Sequence, residues 1–511
     1  MTAGKTHGRQ QAPPRLTVDV RGAFGLIGTL TKYLAVAPLL PAALALAYRE
    51  SPWPFLLSAA IVAFVGLALE RLGLGTAPIG FREGFLVVAC TWLAAATLGA
   101  LPYLLSGSPQ LDRPVDAYFE AMSGFTTTGA SILTDIPALD NSMLMWRQFT
   151  QWLGGMGIIV LALAVLPRLR VGGRQLLESE MPGPEVDDLA DRIRSTARRL
   201  WLLYVALTAV LAGILTVFGL TGIDSRMTPF NAVAHAFSTM PTGGFSPEPR
   251  SAEEFAPATQ WVLVVFMIIA GLSFTLLYRA LVRQRPRALL RDEEARLYVV
   301  VLIVVSALLT IELWRGGILR GEGAIRAAVF QVVSMMTTTG FASVDFIGWP
   351  ALALMILVGV MFIGGSAGST GGSIKVVRHL LLGKAIRREL RQTVHPEAVM
   401  PIRLNGAVVD ERTIRAITTF VLLYFGIFVV GAAVIALDAA FQGPTISALD
   451  AIAISATTLG NVGPGLGLAG PMGSFAEFSD LSTVVMTLLM WMGRLEVIPV
   501  IVLLTRGYWR V

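Results

Sequence analysis

The chain has one cysteine in 511 residues, Cys90, and it lies inside an apolar run. An internal disulfide is excluded, and thiolate metal chemistry finds no second ligand. Histidine is nearly as scarce: His7, His235, His379 and His395 are scattered and do not form a metal-binding cluster. Charged residues are also few, 14% against 54% hydrophobic. No nucleotide-binding fingerprint occurs, so no organic cofactor is expected in this chain.

Apolar runs are abundant, and many approach the roughly 20 residues that a helix needs to cross a bilayer. The chain therefore reads as a polytopic, all-helical protein of the lipid bilayer. Spans are expected over 24–48, 53–72, 85–105, 143–166, 199–220, 259–281, 297–313, 351–383, 414–437 and 481–504. Residues 1–22 are polar and basic and lead into an apolar run too long for a signal-peptide core, so the first span is expected to stay uncleaved. Starting inside, one set of loops collects Arg168, Arg170, Arg174, Arg192, Arg194, Arg198 and Arg199, then Arg279 to Arg291, then Arg378 to Arg415. The positive-inside rule makes these loops cytoplasmic, together with both termini. This topology accounts for the net charge of +6 without a nucleic-acid partner.

The opposite loops contain four related stretches. They run through Thr127, Thr128, Gly129 and Ala130; Pro241, Thr242, Gly243 and Gly244; Thr338, Thr339, Gly340 and Phe341; and Asn461, Val462, Gly463 and Pro464. Each follows a segment too short to span, over 114–124, 228–239, 324–335 and 447–457. The order of span, half-helix, loop and span thus recurs about every 100 to 120 residues after two extra spans. It divides the chain into 1–75, then repeats over 76–180, 181–290, 291–395 and 396–511.

Non-helical backbone at membrane depth is tolerated where protein buries it or where it lines a watery cavity. Glycine permits the dihedrals that turn carbonyls inward, and threonine adds a hydroxyl acceptor with little bulk. Each half-helix would point its partially negative end at a cation. Four such loops around one axis form the pattern of a selectivity filter, in which peptide oxygens replace an ion's water shell. Potassium is the expected transported substrate.

The second span of the third repeat is interrupted by Gly364, Gly365, Ser366, Ala367, Gly368, Ser369, Thr370, Gly371, Gly372 and Ser373, followed closely by Lys375. Each glycine in a helix interior costs about 1 kcal/mol relative to alanine, so this run is expected to be a loop within the membrane. It lacks the Gly-Lys-Ser/Thr ending of a phosphate-binding loop. At 1.5 Å per residue it begins roughly 20 Å into the membrane, and the same count along the last span places Arg494 at similar depth. An arginine about 5 Å from a passing cation, at an effective dielectric near 20, opposes it by about 3 kcal/mol. The loop and Arg494 are thus the expected gate. The competing structural role for Arg494 is pairing with a carboxylate or helix-end carbonyls.

These four loops and the ten-span plan resemble the Trk/Ktr/HKT superfamily of potassium transporters, most closely its bacterial TrkH type. The resemblance implies one key filter glycine per repeat, carried over to Gly129, Gly243, Gly340 and Gly463. Gly129 implies potassium rather than sodium, because sodium-favouring members commonly have serine there. It also implies a homodimer docked on cytosolic TrkA-like subunits that bind NAD or adenine nucleotides, and it associates both gate segments with gating. Two other readings stay open. One is a cation-coupled secondary transporter, a potassium/sodium or potassium/proton symporter, although such folds usually have two repeats. The other is an intramembrane hydrolase with Ser366 or Ser369 as nucleophile and His379 as base, which leaves the other loops unused.

Overall fold

The structure, a computed structural model, describes residues 18–73, 81–164 and 186–509, with side chains from 82–157 in the second segment and from 195 onward in the third. The tail up to residue 17, Arg168, Arg170, Arg174 and the side chains of Arg192 and Arg194 lie outside the described residues. The fold is all-helical apart from a short antiparallel hairpin that pairs Arg403 with Val408 and Leu404 with Ala407.

Six described helices are long and apolar enough to cross a membrane: Val20–Tyr48, Trp53–Leu72, Arg82–Leu105, Ser195–Leu220, Glu293–Arg315 and Glu411–Phe441. Three of the other four expected spans depart from simple rods. Residues 259–281 form Pro257–Ala270 and Phe274–Val282, bent by 103°, and 481–504 form Asp480–Arg494 and Ile498–Leu504, bent by 115°. Residues 351–383 break into Ala351–Met361, a non-helical stretch and Val376–Val394. Asn141–Ala164 is one helix, but it buries Arg147, Gln148, Thr150 and Gln151 and so has a mixed composition.

One short helix lies between the spans of each repeat: Pro114–Phe125, Pro229–Thr239, Gly321–Met336 and Ala448–Gly460. Their starts follow local chemistry. Pro114 and Pro229 sit in the first turn, where a missing N–H costs nothing. The Ser447 side chain and the Asp450 carboxylate satisfy each other's backbone N–H groups in a capping box. Asp224 acts in the same way at the start of Pro257–Ala270. Asp224 accepts from Ala256 N at 2.9 Å and Thr259 Oγ1 at 2.7 Å.

The two extra helices pack on each other where glycines let their backbones meet. A Cβ on Gly66 would come within 2.7 Å of the Lys32 Cα. Glu50, in their connection, accepts from Asn141 N at 2.9 Å and Ser142 N at 2.8 Å. Its carboxylate thereby caps the second helix of the first repeat, where the helix dipole favours negative charge. One large apolar cluster joins mainly the second and third repeats, and another joins mainly the first and fourth with the extra helices. The four short helices contribute buried residues to these clusters.

Candidate functional site

Each short helix ends in the same turn. Thr128 N, Gly243 N, Thr339 N and Val462 N each donate to the carbonyl five residues earlier, at 2.9, 2.8, 2.8 and 3.1 Å. The preceding residue is left-handed every time: Thr127, Thr242, Thr338 and Asn461 have φ of 53°, 56°, 60° and 53°. Holding a side chain there costs about 1–3 kcal/mol, so the surrounding structure must impose it. This register makes Gly129, Gly244, Gly340 and Gly463 equivalent, with φ of 81°, 79°, 84° and 112°. The expected carry-over to Gly243 is therefore off by one: Gly244 occupies the position that Gly340 occupies in its repeat. The Thr-Gly-Gly run has two adjacent glycines, and spacing within one loop does not distinguish them.

The strands follow one another around a ring. A Cβ on Gly129 would collide with the Gly243 carbonyl, one on Gly244 with that of Thr339, and one on Gly340 with that of Val462. Asn461 Nδ2 donates to Thr128 Oγ1 at 3.0 Å and joins the fourth strand to the first. Gly129, Gly244, Gly340 and Pro464 all line one small cavity of about 70 Å³. Among the described residues no N–H or O–H reaches the carbonyls of Thr127, Thr128, Gly129, Thr338, Thr339, Gly340, Asn461, Val462 or Gly463. Gly243 differs, because its oxygen accepts from Gln151 Nε2 at 2.7 Å.

The Gly/Ser stretch packs against the helix-end side of this ring. Gly372 N donates to Thr338 Oγ1 at 2.7 Å, and Thr370 Oγ1 donates to Met240 O at 3.0 Å. A Cβ on Gly372 would strike the Gly460 carbonyl. The loop is firmly tied elsewhere too: Gly364 N donates to Ile374 O at 2.9 Å and Ser366 N to Gly271 O at 2.8 Å. Glu294 accepts from Ala367 N at 2.6 Å and Val377 N at 3.1 Å, bracketing the loop from both sides. Lys375 Nζ turns back to the Gly371 carbonyl.

Arg494 meets this loop as expected. Its Nη1 donates to Thr370 O at 2.9 Å and its Nη2 to Gly154 O at 3.2 Å, with 2% of the residue exposed. These contacts bring the two expected gate segments together and tie them to a carbonyl inside Asn141–Ala164.

The TrkH family profile, described as a cation transport protein, matches residues 55–507. The chain belongs to the TrkH family. It is 38% identical over 498 residues to the Trk system potassium uptake protein TrkH of Salmonella typhimurium, covering 96% of this chain and 99% of that one. It is 32% identical over 503 residues to TrkG of Escherichia coli, covering 97% and 99%. The crystal structure of the potassium transporter TrkH from Vibrio parahaemolyticus superposes with a TM-score of 0.85 at 34% identity, covering 96% of this chain and all of that one. This TrkH-family chain is accordingly a multi-pass membrane transporter and not an enzyme.

The hydrolase reading fails on geometry as well as on family. His379 Nε2 lies 3.1 Å from the Phe362 carbonyl, while the Ser366 and Ser369 hydroxyls have no hydrogen-bond partner among the described residues. Nucleophile and base are not joined. The two bends in this TrkH-family fold also have purposes that periodicity did not reveal. Gly271, at the first, offers its carbonyl to Ser366 N, and Phe274 N donates to Gly368 O at 3.1 Å. At the second, Glu496 pairs with Arg378, whose guanidinium lies 3.9 Å from the Phe420 ring. Arg378, expected in a cytoplasmic loop, is 2% exposed. Glu120, Arg147, Gln151 and Glu294 were not anticipated as site residues. The available signal was a charge or amide inside an otherwise apolar run.

Proposed function

We propose that the chain takes up potassium across the inner membrane through the ring of Thr127–Ala130, Pro241–Gly244, Thr338–Phe341 and Asn461–Pro464. One observation carries this reading: four strands are in cyclic contact, and the carbonyls of Thr127 to Gly129, Thr338 to Gly340 and Asn461 to Gly463 meet no donor among the described residues. Buried carbonyls ordinarily find a partner. A dehydrated alkali cation supplies one, and the negative ends of four converging helices favour it. The names of the relatives, all of Trk potassium uptake systems, support potassium as that cation, as does Gly129.

The 364–373 loop, Lys375 and Arg494 act as the gate. Thr370 to Gly372 contact the second, third and fourth repeats, and Arg494 adds the first, so ion passage requires these contacts to change. A homodimer regulated by cytosolic TrkA-like subunits that bind NAD or adenine nucleotides supplies the opening signal. The four-repeat division over 76–180, 181–290, 291–395 and 396–511 follows the same logic.

Flux into proteoliposomes, with potassium and sodium gradients varied independently, tests the reading. Potassium flux that follows its own gradient and exceeds sodium flux is the expected result. Flux that requires an opposing or accompanying sodium or proton gradient would favour the coupled transporter instead. Equal flux of both ions would remove the filter assignment.

A further inference from the structure

The residue seven positions before the left-handed turn is Glu120, His235, Gln331 and Ile454 in the four repeats, and all four are buried. In three repeats this side chain faces a serine just beyond the filter strand. Glu120 accepts from Ser131 Oγ at 3.2 Å, His235 Nε2 lies 3.0 Å from Ser246 Oγ, and Gln331 Nε2 lies 3.5 Å from Ser343 Oγ. In the fourth, a Cβ on Gly465 would pack 3.3 Å from Ile454. Equivalent positions thus carry a charge, an imidazole, an amide and a hydrocarbon.

Among the described residues, only the first of these has an ionic partner. Arg147 Nε donates to Glu120 Oε1 at 2.7 Å, with side chains 1% and 0% exposed. Its Nη2 donates to Ser131 Oγ at 3.1 Å, its Nη1 reaches Ser246 O at 3.4 Å, and its guanidinium lies 4.2 Å from the Phe245 ring. Glu120 also accepts from Ile132 N at 2.9 Å. One ion pair therefore grips the far ends of the first and second strands. His235 extends the contact, with its ring 5.7 Å from that of Phe341 in the third strand. Its Nδ1 lies 2.8 Å from the Asn231 carbonyl, which makes Nδ1 the donor and leaves Nε2 to accept from Ser246.

Burying two charges is costly, and an apolar pair of similar volume is often as stable. A forked guanidinium does what hydrocarbon cannot: it fixes several acceptors at defined distances and angles. We infer that Glu120 and Arg147 are positioning residues for ion selectivity, setting the separation of the first two filter strands from behind, with His235 relaying the constraint to the third. This rests on the filter reading above.

The test replaces Arg147 with lysine, which keeps the charge but cannot reach Glu120, Ser131 and the Ser246 carbonyl together. The potassium-to-sodium flux ratio in proteoliposomes should fall by about tenfold, the scale of one lost charge-assisted hydrogen bond. A purely structural role would lower the yield of folded protein and leave the ratio of the folded fraction unchanged, and that result overturns the inference. If the lysine variant does not fold, Glu120→Gln with Arg147→Gln, which leaves no lone charge, is read by the same two outcomes. Gly129→Ser serves as the reference. A lowered ratio there with an unchanged ratio in the Arg147 variant removes only the brace, whereas an unchanged ratio in Gly129→Ser removes the filter reading itself.

Discussion

Arg494 donates to the carbonyl of Thr370 at 2.9 Å, so the last membrane helix holds the Gly/Ser loop directly against the ring of four strands. The same guanidinium reaches Gly154 O at 3.2 Å and adds the first repeat to the contact. Replacing Arg494 with alanine removes both bonds and, on the proposed reading, a positive charge from the ion's path. Basal potassium flux should rise, by up to about a hundredfold if the Coulomb barrier of about 3 kcal/mol is fully expressed. Tracer uptake into proteoliposomes without nucleotide-binding subunits measures this. Unaltered flux in a folded variant would leave Arg494 with a structural role alone.

Gly244 and Gly243 differ in what a side chain would meet. Gly244 has φ of 79° and faces the Thr339 carbonyl, whereas a Cβ on Gly243 meets the end of the Gln151 side chain, which can move. Gly244→Ala should therefore damage potassium flux more than Gly243→Ala, with at least about 1 kcal/mol of added backbone strain. Parallel flux and thermal-denaturation measurements on the two variants decide it. A more severe effect at Gly243 would contradict the register assigned by the backbone turns.

Glu496 pairs with Arg378 next to the break in the last membrane helix. Glu496→Gln leaves the buried guanidinium without its carboxylate, a change that costs about 3–5 kcal/mol for a buried pair. The melting temperature in detergent should drop markedly. Removing both charges, with Glu496→Gln and Arg378→Met, should restore part of it, because the guanidinium no longer lies unpaired while buried Lys375 still lacks the Glu496 carboxylate. If the single and double variants melted together at the parent's temperature, the pair would have no role in holding the bend.

Glu50 links pH to the packing of the extra helices. Burial pushes its carboxyl up, but hydrogen bonds from Ser142 and Asn141 outweigh this and hold it below the usual carboxylate range. A folded value below the unfolded one, near 4.3, means the stabilisation is present at neutral pH and is lost as pH falls through the folded value. Glu50→Gln should lower the melting temperature at pH 7, and its difference from the parent should shrink below about pH 4. A difference that stayed constant from pH 7 to 3 would assign the effect to packing rather than charge.

Much of this architecture is readable along the chain because it depends on near neighbours. The apolar runs, the short helices starting at Pro114 and Pro229, the Thr/Gly turns and the glycine-rich break near Gly364 are local signals. The repetition of one turn four times made the ring a reasonable expectation before any contact was known. Spacing misled at Gly243, where two adjacent glycines fit the pattern equally well. It also misled over 259–281 and 481–504, where hydropathy reads a bent pair of helices as one rod.

By itself the sequence determined that this is a helical membrane protein with four related turns, because bilayer thickness, helix propensity and glycine's dihedral freedom act on consecutive residues. Tertiary structure alone decided which glycine faces its neighbour's carbonyl and where the membrane helices bend. It also decided that Arg494 finds Thr370 while Arg147 finds Glu120. Those pairings join residues 124 and 27 positions apart, and burial makes each partner's identity depend on the shape of the enclosure rather than on distance along the chain.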